Sequence, residues 1–448
     1  MEICTVGGFE EVGKNMTAVK VGNDVFIFDV GLYLPAIIEL QEQESQQERY
    51  TERKLRSVGA IPDDKVLDKL GWADKVRAIC IGHTHLDHVG GVPYIAGRYP
   101  KAPILATPFT IEVLESILRD EKISLKNKRV SVNPNSSFNV KGESGEYKIE
   151  FVHATHSTLQ STFVALHTKE GVFLYTLDFK FDKHPVIGDP PNYKRLHELS
   201  KKGIKVAVVD SLYSGAERRT ASERIARNLI QEAISNCRGK NTALIVTTFS
   251  SHIARLKSIV DFGKKTNREI VFVGRSLNKY VQAAQNIKKC PFIKDIKIIK
   301  YKKQVNSFLK NLEKNRGNYL IVCTGHQAEP GSILDRMVND KTPFKFKDGD
   351  NVIFSSSVIP AAVNINSRDL MDKKLRKKGV RIQTDIHVSG HGGREDIRDL
   401  IEITKPKHII PAHGSLQQET PMIELATELG YKFQETVHLS SNGKVINL

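Results

Sequence analysis

Four side chains able to bind a metal fall within six residues of this chain, His83-Thr84-His85-Leu86-Asp87-His88. Histidines two apart on an extended loop can point to the same side and chelate one ion. Asp87 and His88 then offer a carboxylate and an imidazole to a second ion nearby. Imidazole and carboxylate without thiolate suit zinc or manganese at an open, hydrolytic site. Other candidates stand at the ends of apolar runs. His156, in Val152-His153-Ala154-Thr155-His156-Ser157, is placed to complete the first site. Asp178, in Tyr175-Thr176-Leu177-Asp178-Phe179-Lys180, is placed to bridge both ions, and His413, in Ile410-Pro411-Ala412-His413-Gly414, to close the second. Asp29 is a candidate acceptor for the second N–H of a metal-bound imidazole. Singly, a His or Asp at a strand end is more often structural; the six-residue cluster is what makes these four candidates.

Such residues need rigid elements to bring them to one point. Asp24-Val25-Phe26-Ile27-Phe28-Asp29-Val30-Gly31 reads as a buried strand with a carboxylate at its tip. Residues 36–70 are polar and charged, an excursion before the next strand at 77–81. Gly82 opens a loop, and helical spacing of apolar residues follows over 106–121. Further strands are expected at 149–152, 162–166 and 172–175. After about residue 200, expected strands at 206–210, 243–247, 269–273 and 319–323 alternate with helices over 221–237, 252–265 and 277–288. That rhythm predicts a parallel-sheet domain. Residues 351–355 read as another strand, and 381–448 as short strands with one helix.

Composition narrows the partners. The chain has 448 residues, 26% charged and 40% hydrophobic, enough for a sizeable core in two or three units. Its formal net charge of +16 fits a polyanionic partner, with nucleic acid the leading candidate. Residues 254–316 hold 17 Lys/Arg and 4 Asp/Glu, so +13 of the charge lies in one stretch. It reads either as a solvated surface or as a face that tracks phosphates. No apolar run approaches the ~18 residues of a membrane span. The first residues lack a signal-peptide pattern, and five scattered cysteines form no CxxC pair. Core cysteines and a cytoplasmic location are the expectation. No internal repeat is visible.

Asp29, His83-x-His85-x-Asp87-His88, His156 and Asp178 resemble, in order, the metal motifs of the metallo-β-lactamase fold. Asp210, His391 (in Val388-Ser389-Gly390-His391-Gly392) and His413 resemble the three additional motifs of its nucleic-acid-processing β-CASP branch. Within that branch the chain is similar to the ribonuclease J family. The segments Gly7-Gly8-Phe9-Glu10-Glu11-Val12-Gly13-Lys14-Asn15-Met16, Thr324-Gly325-His326-Gln327-Ala328-Glu329-Pro330 and Ser355-Ser356-Ser357-Val358-Ile359-Pro360 carry that likeness. It runs from about residue 3 to 440.

The resemblance implies an α/β fold: an αββα metallo-β-lactamase domain from 1–200 and 356–448, interrupted by an inserted α/β β-CASP domain at 201–355. It implies two Zn2+ ions, with Mn2+ or Mg2+ as alternatives, on His83, His85, Asp87, His88, His156, Asp178 and His413. It further implies in-line hydrolysis of single-stranded RNA, 5′ to 3′, leaving 5′-phosphates. Asp87, Asp210 and His391 are the catalytic candidates, His391 protonating the departing 3′ oxygen with Asp210 behind it. A 5′-monophosphate pocket is implied at Thr247-Thr248-Phe249-Ser250-Ser251-His252, with Ser251, His252 and backbone N–H groups around Gly390 and Gly392. The plainer reading of Ser251 is a helix N-cap.

Two features depart from the family pattern. His413-Gly414-Ser415 stands where the family usually has His-Gly-Glu, so a supporting carboxylate is missing. The chain ends 35 residues after His413, as expected of the shorter archaeal form rather than bacterial members with an extra C-terminal domain. The resemblance leaves open whether it forms a homodimer. Two rival readings are a purely endonucleolytic β-CASP enzyme and a catalytically silent RNA-binding homologue. The Phe249–His252 segment speaks against the first, and retention of all seven ligands against the second. His153, His326 and His387 lie near the motifs as candidate supports. His167, His184, His197, His408 and His438 read as ordinary surface or core residues, and Trp72 is assigned no base-stacking role.

Overall fold

Alternation along the strands sets the architecture. In Asp24–Phe28, Phe26 and Phe28 pack to one side with Phe151, Phe173 and Tyr175, while Val25 and Ile27 pack to the other with Val92, Phe109 and Val113. Side chains that alternate between two apolar environments require a sheet buried on both faces. The computed structural model describes residues 1–43, 50–237, 239, 241–359 and 362–448. Residues 44–49 of the 36–70 excursion, and Pro360, lie outside the described residues.

Among the described residues there are three sheets. The first runs in the order Lys444–Asn447, Glu2–Gly7, Met16–Val21, Asp24–Phe28, Val76–Ile81, Ile104–Ala106, Arg129–Ser131. The second runs His408–Ala412, Ile204–Asp210, Gly171–Thr176, Thr162–Thr168, Glu146–His153, Ser136–Lys141. Their facing sides share one core, and helices cover both outer sides. Phe109, Val113 and Leu114 of Pro108–Glu121 pack on the first sheet. Leu196, Leu400 and Met422, from Tyr193–Lys202, Arg394–Thr404 and Leu416–Glu428, pack on the second. These four layers are the expected αββα sandwich. Each fully buried phenylalanine at its centre contributes about 1.5–3 kcal/mol.

The third sheet is wholly parallel: Lys297–Ile299, Glu269–Val273, Tyr319–Cys323, Leu244–Thr247, Asn351–Phe354, Arg381–Gln383. Helices Glu223–Ser235, Ile253–Gly263 and Arg275–Asn286 fall where the apolar periodicity predicts them. The insertion is seated on the sandwich through Arg275–Asn286. Asn286 Nδ2 donates to Glu112 Oε2 at 2.7 Å, and Lys279 Nζ lies 2.8 Å from Asp120 Oδ2, both acids on Pro108–Glu121. No helix among the described residues is long and apolar enough to cross a membrane.

Sheet membership differs from the expected boundaries at 201 and 355. Ile204–Asp210 pairs with Gly171–Thr176 and His408–Ala412 in the sandwich, whereas Arg381–Gln383 pairs with Asn351–Phe354 in the third sheet. The chain therefore leaves the sandwich after Asp210 and the parallel sheet after Gln383. Both strands are parallel at these pairings, so their local pattern does not tell which sheet they join. Residues 381–448 hold two helices rather than one. Pro421 inside Leu416–Glu428 masks the second as a helical pattern.

Candidate metal centre

The sandwich delivers its polar residues at strand ends. His83 and His85 follow Val76–Ile81, and the short helix Leu86–Val89 carries Asp87 and His88. Asp29 and His413 directly follow strands and Asp178 lies two residues past one, at positive φ of +58°, +59° and +50°. This left-handed backbone costs a non-glycine residue roughly 1–2 kcal/mol, and here it turns three polar side chains into one cleft. The crossing loops are tight. A Cβ on Gly31 would sit 1.7 Å from the Asp87 carbonyl oxygen, so no side chain fits where that loop passes.

Two sets of ligand atoms converge, each within 4.8 Å: His83, His85, His156 and Asp178; and Asp87, His88, Asp178 and His413. Asp178 Oδ2 lies 3.4, 3.2 and 3.5 Å from Nε2 of His83, His88 and His156. His156 Nε2 is 3.0 Å from His85 Nδ1. Outer contacts fix the rings. Asp29 accepts from His88 Nδ1 at 2.6 Å and from the Gly82 N–H at 2.8 Å. The Gly390 carbonyl accepts from His156 Nδ1 at 2.7 Å. Each leaves the opposite nitrogen facing the cluster.

The donor set fits divalent cations. His83 Nε2 and Asp178 Oδ1 are buried with no hydrogen-bond partner among the described residues. Burial and neighbouring His88 push His83 down to about 3, and burial pushes His85 to about 4 against the pull of Asp87 and Asp178. His156 is held low by burial and His85. Neutral imidazoles keep a lone pair for an ion. Burial opposes the charge on Asp178, but His88, His413 and His391 keep it ionised.

His391 adjoins this cluster. Its Nδ1 donates to Asp210 Oδ2 at 2.7 Å, and its Nε2 lies 3.7 Å from Asp178 Oδ2. The ring stacks on His413 with centroids 5.5 Å apart and planes 13° apart. Burial works against its charge, yet Asp178 and Asp210 outweigh it and lift His391 to about 9. Asp210, His391 and His413 also form a third set of converging ligand atoms.

The insertion reaches the cluster through Ser251, whose Oγ is 3.1 Å from His85 Nε2. The N-cap of Ile253–Gly263 is His252, so Ser251 is not the helix cap. His252 is buried, its Nε2 3.7 Å from Glu223 Oε2, and burial with Arg255 keeps it neutral. One expectation is corrected: the Gly392 N–H donates to the Phe179 carbonyl at 2.5 Å and is not free to bind a phosphate. The basic stretch is also divided. Arg255 and Arg316 are buried in ion pairs with Glu223 and Asp350, whereas Lys288, Lys289, Lys302, Lys303, Lys310 and Lys314 are exposed.

One supporting residue escaped the sequence reading. Asn15 is buried at the centre of the cluster, donating to the Asp87 carbonyl at 3.0 Å with its amide nitrogen 3.1 Å from His88 Nε2 and 2.9 Å from His413 Nδ1. Its place in the glycine-rich 7–16 segment was the available signal. Ser415 takes a helix-capping box with Gln418. One turn on, Glu419 is buried beside Gly414, its carboxyl raised to about 9 by burial and by Glu10 and Glu11.

Comparison with known proteins places the domains along the chain. Family models match residues 65–217 (beta-lactamase superfamily domain), 241–369 (ribonuclease J, beta-CASP domain) and 379–438 (Zn-dependent metallo-hydrolase RNA specificity domain). Ribonuclease J of Pyrococcus abyssi is 40% identical over 449 residues, covering 100% of this chain and 97% of its own. Ribonuclease J of Methanocaldococcus jannaschii is 38% identical, covering 100% and 98%. A crystal structure from Enterococcus faecalis V583, of a protein of unknown function, shares the fold with a TM-score of 0.64 at 17% identity, covering 100% of this chain and 99% of that one. With its metallo-β-lactamase sandwich and β-CASP insertion, the chain belongs to the ribonuclease J family.

Proposed function

We propose that this chain is a metal-dependent cytoplasmic exoribonuclease that degrades single-stranded RNA 5′ to 3′ from a 5′-monophosphate end, releasing 5′-phosphate nucleotides. The observation that carries the reading is the meeting of Ser251, from the insertion, with His85 in a cluster flanked by the His391–Asp210 pair. In this reading His83, His85, His156 and Asp178 hold one Zn2+ and Asp87, His88, Asp178 and His413 the other, with Mn2+ or Mg2+ as alternatives. Bound there, the ions would neutralise phosphate charge and acidify water.

The chain's own groups supply positioning and proton transfer. His391, its Nδ1 proton held by Asp210, gives its Nε2 proton to the 3′ oxygen as the phosphorus–oxygen bond breaks. Water forms the new bond to phosphorus, and Asp87 accepts its proton. Asp29 and the Gly390 carbonyl keep His88 and His156 oriented. Ser251, His252 and the Gly390 N–H are assigned to the terminal phosphate, at the start of helix Ile253–Gly263.

The test uses one RNA with a 5′-monophosphate or a 5′-hydroxyl, labelled at either end and digested with and without chelator. Early release of 5′-labelled mononucleotides, faster from the monophosphate and abolished by chelation, is the expected result. Internal fragments indifferent to the 5′ group would mean an endonuclease. Ser251→Ala is expected to slow cleavage of 5′-phosphorylated RNA more than of 5′-hydroxyl RNA. An equal loss on both would leave Ser251 only a support for His85.

A further inference from the structure

The carboxyl ends of the parallel sheet hold polar groups that the chemistry above does not use. Leu244–Thr247 lies between Tyr319–Cys323 and Asn351–Phe354, so the loops after these three strands emerge side by side. From Leu244–Thr247 the chain crosses to Glu269–Val273 on one side and later to Asn351–Phe354 on the other. In open parallel sheets, ligands bind outside the carboxyl ends of the strands at such a change of direction.

His326 sits in this place with only 7% of its surface exposed, and neither ring nitrogen has a hydrogen-bond partner among the described residues. The carboxylate oxygen Glu329 Oε1 stays 3.7 Å away. The hydroxyls of Thr247 and Ser356, also buried, have no partner either. By contrast, the loop around His326 is well tied. Arg368 donates to the His326 carbonyl at 3.1 Å, Gln327 Nε2 to the Ser357 carbonyl at 2.8 Å, and the Ile359 N–H to Gln327 Oε1 at 2.8 Å. A fixed loop that leaves its imidazole unpaired is preorganised for a ligand carrying both a donor and an acceptor.

Beside it, Phe249 is half-buried, its ring 4.2 Å from His326 and 6.3 Å from His387, centroid to centroid. Phe249 is two residues from Ser251, a span of at most about 7 Å, and Ser251 touches His85. A group stacked on Phe249 is therefore close to the metal cluster. An apolar ring face next to one neutral donor–acceptor pair matches a nucleobase: the ring stacks and its edge meets the imidazole.

We propose that Phe249 and His326, with Ser356 and Thr247 beside them, form a nucleobase pocket that holds one base near the 5′ end of the RNA. The proposal rests on RNA being the substrate. It makes the insertion a reader of bases as well as of phosphate, and gives Phe249 a role in registering the strand against the cluster.

The experiment measures binding and cleavage separately. Equilibrium binding of 5′-phosphorylated single-stranded RNA to chelator-treated protein is compared for the parent chain, Phe249→Ala, Phe249→Tyr and His326→Phe. RNAs carrying one abasic residue at the first, second or third position are included. Phe249→Ala should weaken binding by about 5- to 150-fold, Phe249→Tyr should restore it, and His326→Phe should weaken it. The Phe249→Ala effect should vanish with RNA abasic at one position. Equal loss on every RNA, or full affinity in both Phe249→Ala and His326→Phe, would overturn the pocket. Thermal unfolding shows whether each variant is folded, and a Phe249→Ala that does not fold passes the decision to His326→Phe. RNA bound in this pattern but never cleaved after metal is restored would refute the proposed nuclease reaction and leave the pocket standing.

Discussion

His391→Ala lowers the single-turnover rate of RNA hydrolysis by about 10²–10⁴-fold, with metal content unchanged. The size is that of losing a positioned general acid, and the geometry says why this imidazole can serve. Its Nδ1 is tied to Asp210 at 2.7 Å, so Nε2 is the nitrogen left to face the cluster. Two carboxylates raise its pKa to about 9 against the effect of burial when no ion is bound, and once Asp178 holds metal it is Asp210 that keeps the ring protonated. The sign of the pH dependence follows. A group that acts as an acid is lost as pH rises through its pKa, so the rate has an alkaline limb. Asp210→Asn removes one of the raising charges and moves that limb to lower pH. His391→Ala removes the limb. pH–rate profiles with elemental analysis of metal content check this. Near-normal turnover in His391→Ala, or an unmoved limb in Asp210→Asn, would remove His391 from the acid's role.

Arg255→Ala destabilises the protein by about 3–5 kcal/mol, because it strands a buried carboxylate. Arg255 is 1% exposed, the bulkiest of the fully buried side chains among the described residues. It pairs with Glu223 through Nε–Oε1 at 2.6 Å and Nη2–Oε2 at 2.9 Å. Its Nη1 donates to the Ser355 carbonyl and hydroxyl at 2.9 and 3.1 Å, and to the Ile386 carbonyl at 3.4 Å. It thus joins helices Glu223–Ser235 and Ile253–Gly263 to the segment that returns toward His391. The midpoint of urea unfolding measures the loss. Arg255→Met combined with Glu223→Leu, which removes both charges, should lose less than Arg255→Ala alone. A double variant weaker than Arg255→Ala would show that the shape of the network matters more than its charge. Because the anchored segment leads to Gly390 and His391, Arg255→Ala should also slow cleavage where the protein is still folded.

The chemistry of the site was legible in sequence where it is local. Six consecutive residues carry four ligands of two types whose pairing needs only an extended loop and one helical turn, and the structure brings them together in that form. The apolar periodicity of 221–237, 252–265 and 277–288 likewise depends on near neighbours, and helices stand at all three. Contacts between distant residues were not legible. Ile204–Asp210 reads as the first strand of the insertion, but it joins the sandwich between Gly171–Thr176 and His408–Ala412, the second of which comes some two hundred residues later. Arg255 reads as one cation in a basic stretch until Glu223 and Ser355 close around it. Asn15 among the ligands, Ser251 on His85 and the unpaired His326 follow the same rule. Periodicity and ligand type determined the elements and their chemistry. Tertiary structure decided which remote side chains desolvate one another, because burial and pairing depend on neighbours that the local chain does not specify.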